Sequence, residues 1–514
     1  MKKKKYIGLL ACSLAAMLGA VLLAGCSGVT TASNDDKSLT IALSSNGGTS
    51  LDPTDNYEGW FGLKMGIYET LFKVDSNFAV QPMLADSYTQ VDATTWKLHV
   101  RDGVTFQNGK SVDAAAVKAS LSRMIAANSR GAKALDIADM KADGQDLTIT
   151  TTGVNATFIN ELCEPVCSII DVDSGTDNVT DPIGTGPYAV DSIDAVGNCT
   201  LTRYDDYWQG KPKIATLNTK FIVDDAAKIS ALQSGEIQAA TTIASDQVAL
   251  FSDTSRYSIT QNNNGRTHML YFNMDSSTMQ DKAVRQALSM CVDRDAYVDG
   301  IYAGSASSTE GCFPETSGFS DGVSAPGYDL EKAKQILQQA GYADTDGDGY
   351  LDKDGKKLTL TFATYQANAE LPKICEVMSS TLKSIGVDVK IEVADKIAAR
   401  LSAGDWDVAT MAYNTLPTGD GLAYLKAVMG TGSSANYGHY TNPAVDSLLD
   451  QMTKEADVSK RKSLAEQIQE KALGDYAYVY MVHIVNADVT AASVTNLSMD
   501  GQYYYVNYLM DVNS

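Results

Sequence analysis

Asp181-Pro182-Ile183-Gly184-Thr185-Gly186-Pro187-Tyr188 sets two prolines and two glycines into one short run. The prolines fix φ and stiffen the chain, while the glycines permit turns and close backbone approach. Such a run reads as a rigid crossing between structural units rather than as part of a helix or strand. The 514 residues are too many for one ordinary core and call for two or three units. The crossing is expected to mark a border between them.

Upstream of this border, Leu39 to Leu43 is the first strand candidate, and the Gly/Asn/Asp/Pro-rich stretch 44–57 reads as a loop able to approach a ligand. A helix is expected from Trp60 to Leu71. Trp96 to Val100 alternates as a strand and runs into Arg101-Asp102-Gly103 and Phe106-Gln107-Asn108-Gly109, a hairpin-like signature. Asp113 to Met124 has helical periodicity. Downstream, Ala226 to Ser234 reads as a short helix ended near Gly235, Met269 to Met274 as a strand and Val284 to Met290 as a helix. Residues 300–328 are rich in Gly, Ser and Pro, as a substrate-facing or inter-lobe loop would be. The late order of strand Leu358–Phe362, helix Lys373–Ser384 and strand Val387–Val393 points to α/β packing.

At the N-terminus, Lys2 to Lys5 precede an apolar stretch, Tyr6 to Leu23, that ends in Leu23-Ala24-Gly25-Cys26. A run of roughly 18 apolar residues is borderline for crossing a bilayer core of about 30 Å. The small residues and the cysteine suit cleavage and acylation better. Residues 1–25 are therefore expected to be a lipoprotein signal, Cys26 the lipidated residue, and 26–37 a polar tether on a membrane surface.

The net charge of −22 excludes a nucleic-acid partner. Beyond Cys26, cysteines 163, 167, 199, 291, 312 and 375 fit neither a zinc site nor a disulfide scaffold and read as buried small hydrophobes. Asp344, Asp346 and Asp348, with Gly349 in the sixth place, resemble the first half of a calcium loop. Gly355 stands where the closing Glu belongs, so a polar turn is the preferred reading and calcium a weak candidate. The chain has four histidines, His99, His268, His439 and His483, and none lies in a metalloprotease motif. Neither a nucleophile elbow nor a phosphate loop is present. The chain is expected not to be an enzyme and to need no cofactor.

Several motifs in fixed order carry a resemblance. They are Leu51-Asp52-Pro53, Tyr68-Glu69-x-Leu71, Pro82-x-Leu84-Ala85-x-Ser87-Tyr88, Trp96-x-x-His99-x-Arg101-x-Gly103-x-x-Phe106-x-x-Gly109, and the crossing Pro182 to Tyr188. Asp205-Asp206-Tyr207-Trp208-x-Gly210-x-Pro212, Gly235-Glu236-Ile237, Phe272-Asn273, Val284-Arg285-x-Ala287, Asp293-Arg294 and Asn442-Pro443-x-Val445-Asp446 follow. From Leu51 to Leu449 the chain resembles the extracytoplasmic solute-binding proteins, family 5, that serve dipeptide, oligopeptide and nickel ABC importers.

The resemblance implies an α/β, two-lobed periplasmic-binding-protein-like fold of the class II, cluster C type, with an extra α/β domain inserted in the first lobe. Residues 38–70, 185–272 and 478–514 would form the first lobe, 71–184 the extra domain, and 273–477 the second lobe. The implied function is capture of short peptides by lobe closure at the extracytoplasmic face of the bacterial membrane. A monomer would deliver them to an ABC permease and its ATPase. Nickel held by a metallophore is the alternative cargo, and a non-transport peptide receptor a further one.

For the ligand site the resemblance points first to Asp420, in Thr418-Gly419-Asp420-Gly421, as partner of a peptide α-ammonium. Gly421 replaces the proline common in the resembled peptide binders. Trp60, Phe61 and Tyr413 are implied as aromatic contacts and Asn436 as a backbone partner. Under the nickel alternative, His439 would ligate the metal and Arg130 would hold a metallophore carboxylate, although no arginine occurs at the second such position, near Cys163 to Cys167.

Overall fold

The computed structural model describes residues 37–43, 50–55, 59–497, 504 and 506–513. The expected signal peptide, Cys26 and almost all of the tether lie outside the described residues. No described helix is long and apolar enough to cross a membrane.

Strand β1 (Ser38–Leu43) and helix α1 (Gly59–Lys64) begin the first lobe. The chain then leaves it for the hairpin β2 (Phe72–Val74) and β3 (Val80–Pro82) and a four-stranded sheet. This sheet comprises β4 (Ala85–Gln90), β5 (Thr95–Val100), β6 (Ile137–Asp143) and β7 (Asp146–Thr151), in the order β4-β5-β7-β6. Helices α2 (Ala114–Ala127), α3 (Ser129–Leu135) and α4 (Phe158–Glu161) complete this inserted unit. Asp113 caps α2, its carboxylate accepting the Ala116 N–H at 2.8 Å.

The chain returns through 184–188 to β8 (Tyr188–Ile193), β9 (Cys199–Arg203), β10 (Thr216–Phe221), α5 (Asp225–Ser234) and β11 (Ala239–Ile243). Gly235 ends α5 in the left-handed conformation. Strand β12 (Tyr257–Phe272) leads into the second lobe, built from α6 (Lys282–Ser289), α7 (Arg294–Gly300), β13 (Ala306–Ser308), α8 (Leu330–Gln339), β14 (Thr359–Thr364), α9 (Glu370–Ser384), β15 (Asp388–Val393), α10 (Ile397–Ser402), β16 (Val408–Asn414), α11 (Leu422–Met429), α12 (Pro443–Lys454) and α13 (Val458–Gly474). Strand β17 (Tyr478–Ala491) runs back to the first lobe.

One sheet passes through both lobes in the order β15-β14-β16-β12-β17-β11-β1-β10-β9-β8. Its middle pair, β12 and β17, crosses between them. Residues 257–263 of β12 pair with 485–491 of β17 in the first lobe, and residues 266–272 pair with β16 in the second. The register slips between Asn263 and Thr267. The change of pairing partners therefore falls inside these strands, near 264–266 and 483–485. Asn263-Asn264-Gly265 marks the change within the long strand: Gly265 is left-handed at φ +73°, and its N–H donates to Asn263 Oδ1 at 3.0 Å.

The run 181–188 lies where the chain comes back to the strands of the large sheet. The outgoing segment and the returning one lie side by side: Gly186 N–H donates to Ile67 O at 3.1 Å and Tyr188 N–H to Gly66 O at 3.0 Å. A Cβ on Gly184 would stand 2.2 Å from Ile67 O, and one on Gly186 2.2 Å from Gly66 O, so only glycine fits either place. This pairing also shortens the expected helix Trp60–Leu71 to α1. At Gly66 φ is +72°, and the carbonyls of Gly66 and Ile67 are taken by the returning chain.

Candidate functional site

Strand direction locates the cleft. Strand β1 is parallel to β10 and β11, β14 is parallel to β15 and β16, and three successive antiparallel pairings join β11 to β16 through β17 and β12. The two lobes therefore point the carboxyl ends of their strands at one another, the place where open α/β sheets bind ligands. The loops after Phe221 and Ile243 face those after Thr364, Val393 and Asn414. A cavity of about 620 Å³ lies between them, lined by Asp225, Ala244 and Gln247 of the first lobe and Ala369, Glu370 and Lys373 of the second, among others.

At the hinge, Lys64 from the end of α1, Arg266 from the slipped register of β12 and Asp488 of β17 form a charged cluster. Burial lowers the Lys64 ammonium to about 8, with Asp488 opposing and Arg266 adding to the shift. Burial also lowers the Arg266 guanidinium, which faces Tyr365. Asp488 is buried and accepts the Thr242 N–H at 2.8 Å, with Thr242 at φ +53°. The residue types were visible in the sequence, but Lys64, Arg266 and Asp488 are far apart along it and were not singled out.

The aromatic candidates lie beside the cleft. Phe61 packs edge-on against Phe221, at the cleft end of β10, with ring centroids 5.4 Å apart. Gly59 abuts Pro165, so Trp60 follows a contact between the first lobe and the inserted domain. Tyr413 stands one residue before the cleft end of β16, against Tyr271 and Tyr424, and burial pushes its hydroxyl up to about 12.

Asp420 follows β16 into the cleft loops, but its carboxylate is taken. Arg461 Nε donates to Oδ2 at 2.9 Å, a second guanidinium nitrogen donates to Oδ1, and Leu422 N–H donates to Oδ1 at 2.8 Å. Both residues are buried. Asp420 thus clamps α11 to α13, and a ligand ammonium would have to displace a bidentate guanidinium. Arg130 pairs with Glu164 at 3.0 Å in the inserted domain. Beside them, burial and then Glu164 and Asp420 push the Glu161 carboxyl up to about 8, against the pull of Arg130.

Two candidates lie away from the cleft. Asn436 is buried and spends its amide on Gly430 O and Tyr440 O and its carbonyl on Tyr440 N–H, tying its own loop. His439 is exposed and bonds Asp275. The adjoining Gly438 abuts Phe272, which pairs with Val408, six residues before Asn414. That separation is about 20 Å of strand. The loop before α12 thus carries Gly438 along the sheet to the end opposite Asn414.

The other histidines are committed elsewhere. His483 is bonded to Thr267 Oγ1 at 2.9 Å and Phe313 O at 3.0 Å, and His268 to Tyr302; burial lowers their imidazoles to about 4 and about 3. His99 bonds Asp86 on the inserted domain. The six described cysteines are buried free thiols. Asp344, Asp346 and Asp348 present oxygens within 4.8 Å of one another. Those carboxylates already accept N–H groups of their own turn, and Asp348 also pairs with Lys357.

Residues 79–436 match the family described as bacterial extracellular solute-binding proteins, family 5 Middle. Among curated relatives, the nickel-binding protein NikA of Staphylococcus aureus is 29% identical over 488 residues, covering 93% of this chain and 94% of that one. The oligopeptide-binding protein AppA of Bacillus subtilis is 26% identical over 444 residues, covering 81% and 80%. A solved structure of a nickel ABC transporter protein from Bacillus halodurans superposes with a TM-score of 0.81 at 31% identity, over 93% of this chain and all of that one. With its two lobes, facing strand ends and inserted domain, the chain belongs to the family 5 extracellular solute-binding proteins, non-catalytic extracytoplasmic receptors of ABC importers.

Proposed function

We propose that the chain captures short peptides in the interlobe cleft and delivers them to an ABC permease, held at the membrane through Cys26. The observation that carries this reading is the hinge cluster. Lys64 and Arg266 bring two cationic side chains close together in a poorly hydrated place beside the strand ends, which suits a ligand carboxylate. Binding selects the closed form only by the ligand's preference for it over the open form.

Nickel carried as an amino-acid chelate is the second reading, favoured by the nickel-binding relatives. In that case the chelator would supply the metal's ligands and the hinge cluster its carboxylate contacts. None of the four histidines offers an exposed imidazole in the cleft.

Calorimetry of the full chain against di- to hexapeptides, each with a free or an amidated C-terminus, tests the proposal. The free acids are expected to bind at least about tenfold more tightly than the amides, and Arg266→Gln to narrow the gap. Heats that appear only with nickel and free L-histidine, with none from peptides, would replace the first reading by the second.

A further inference from the structure

The inserted domain is joined covalently only to the first lobe, through 65–71 and 184–188, and the second lobe only through β12 and β17. The two units hang from the same body, yet they touch. Asn160 Nδ2 donates to Thr418 O at 2.9 Å, and Ala156 N–H to Thr453 O at 3.3 Å. A further tight approach is at the tip of the β2–β3 hairpin. A Cβ on Gly419 would stand 2.4 Å from Phe78 O and 3.4 Å from Val74 Cγ1.

Both sides of that contact hold left-handed backbone, φ +62° at Phe78 and +77° at Gly419. For Phe78 this conformation is strained and has to be held in place. Asp75 holds it: its Oδ1 accepts the N–H groups of Asn77 and Ala79 at 2.9 Å, and its carbonyl accepts the Phe78 N–H at 3.0 Å. The hairpin tip is thereby shaped to present the Phe78 carbonyl to a residue without a side chain. Around it Val74, Phe78 and Ile159 are continuous with Leu416, Leu422 and Leu425 in one apolar cluster.

We propose that this contact is an intramolecular latch: the hairpin tip and Asn160 dock the Thr418–Asp420 loop and hold the second lobe closed, so the closing equilibrium is set partly at a surface that touches no ligand. Rotation of the second lobe about β12 and β17 exposes Phe78 and breaks the Asn160 bond. Closing restores both, whatever the cargo.

Paired spin labels on the full chain, without ligand, test it. Val154→Cys with Val458→Cys spans the latch, and Val223→Cys with Val393→Cys spans the cleft; all four positions are exposed. The two distances are expected to lengthen and shorten together. Gly419→Ala should lower the ratio of closed to open molecules about tenfold and Asn160→Ala about fivefold. A wild-type chain with no short-distance population overturns the proposal. So does a latch distance that stays fixed while the cleft distance changes, or a ratio untouched by both variants.

Discussion

Single residues explain why some readable motifs are not ligand contacts. Glu69 accepts hydrogen bonds from Tyr207 Oη at 2.6 Å, Trp208 Nε1 at 3.0 Å and Thr185 Oγ1 at 2.9 Å. Three motifs of the family resemblance thus converge on one buried carboxyl at the crossing. Burial, partly offset by these donors, pushes it up to about 7. The unfolded chain ionises near the ordinary value of 4.5 and the folded chain only near 7, so stability is full below the lower value and falls as pH rises through the interval. The loss amounts to about 3 kcal/mol. Urea midpoints measured from pH 4 to pH 8 are expected to decline less steeply for Glu69→Gln than for wild type.

Asp420 gives the opposite lesson. Its loop was legible, but its partner Arg461 lies 41 residues on and is fixed only by the packing of α11 against α13. Asp420→Asn leaves a buried guanidinium short of charge and is expected to cost about 3–5 kcal/mol in urea unfolding. Unchanged stability with lost peptide binding would restore the ammonium role instead.

At the scale of elements, local chemistry was the most readable. Asp113 and Asn442 cap α2 and α12, with Pro443 in the first helical turn. Each cap bonds within three residues of itself, so a single sequence suffices to find it. The failure at Trp60–Leu71 has a tertiary cause: helical periodicity continues past Lys64, but the carbonyls of Gly66 and Ile67 are claimed by the returning chain. Gly186→Ala would force a Cβ to within 2.2 Å of Gly66 O. It is expected to cost about 1–3 kcal/mol or more, read as a lower thermal midpoint, with faster proteolysis at the crossing. Wild-type stability in this variant would show that the two segments are free to part.

In the whole molecule, one sheet threads both lobes and the inserted domain closes against the second. The order of motifs, the run of glycines and prolines at 181–188 and the absence of catalytic motifs follow from the sequence alone, because each depends on residues close together in the chain or on family order. The change of partners inside β12 and β17, the grouping of Lys64, Arg266 and Asp488, the engagement of Asp420 by Arg461, the bond of His439 to Asp275 and the latch at Gly419 were decided by tertiary structure. In each of these, the partners are brought together by strand pairing and helix packing across tens to hundreds of residues. Burial then sets their charges and hydrogen bonds, which for the charged groups no local pattern records.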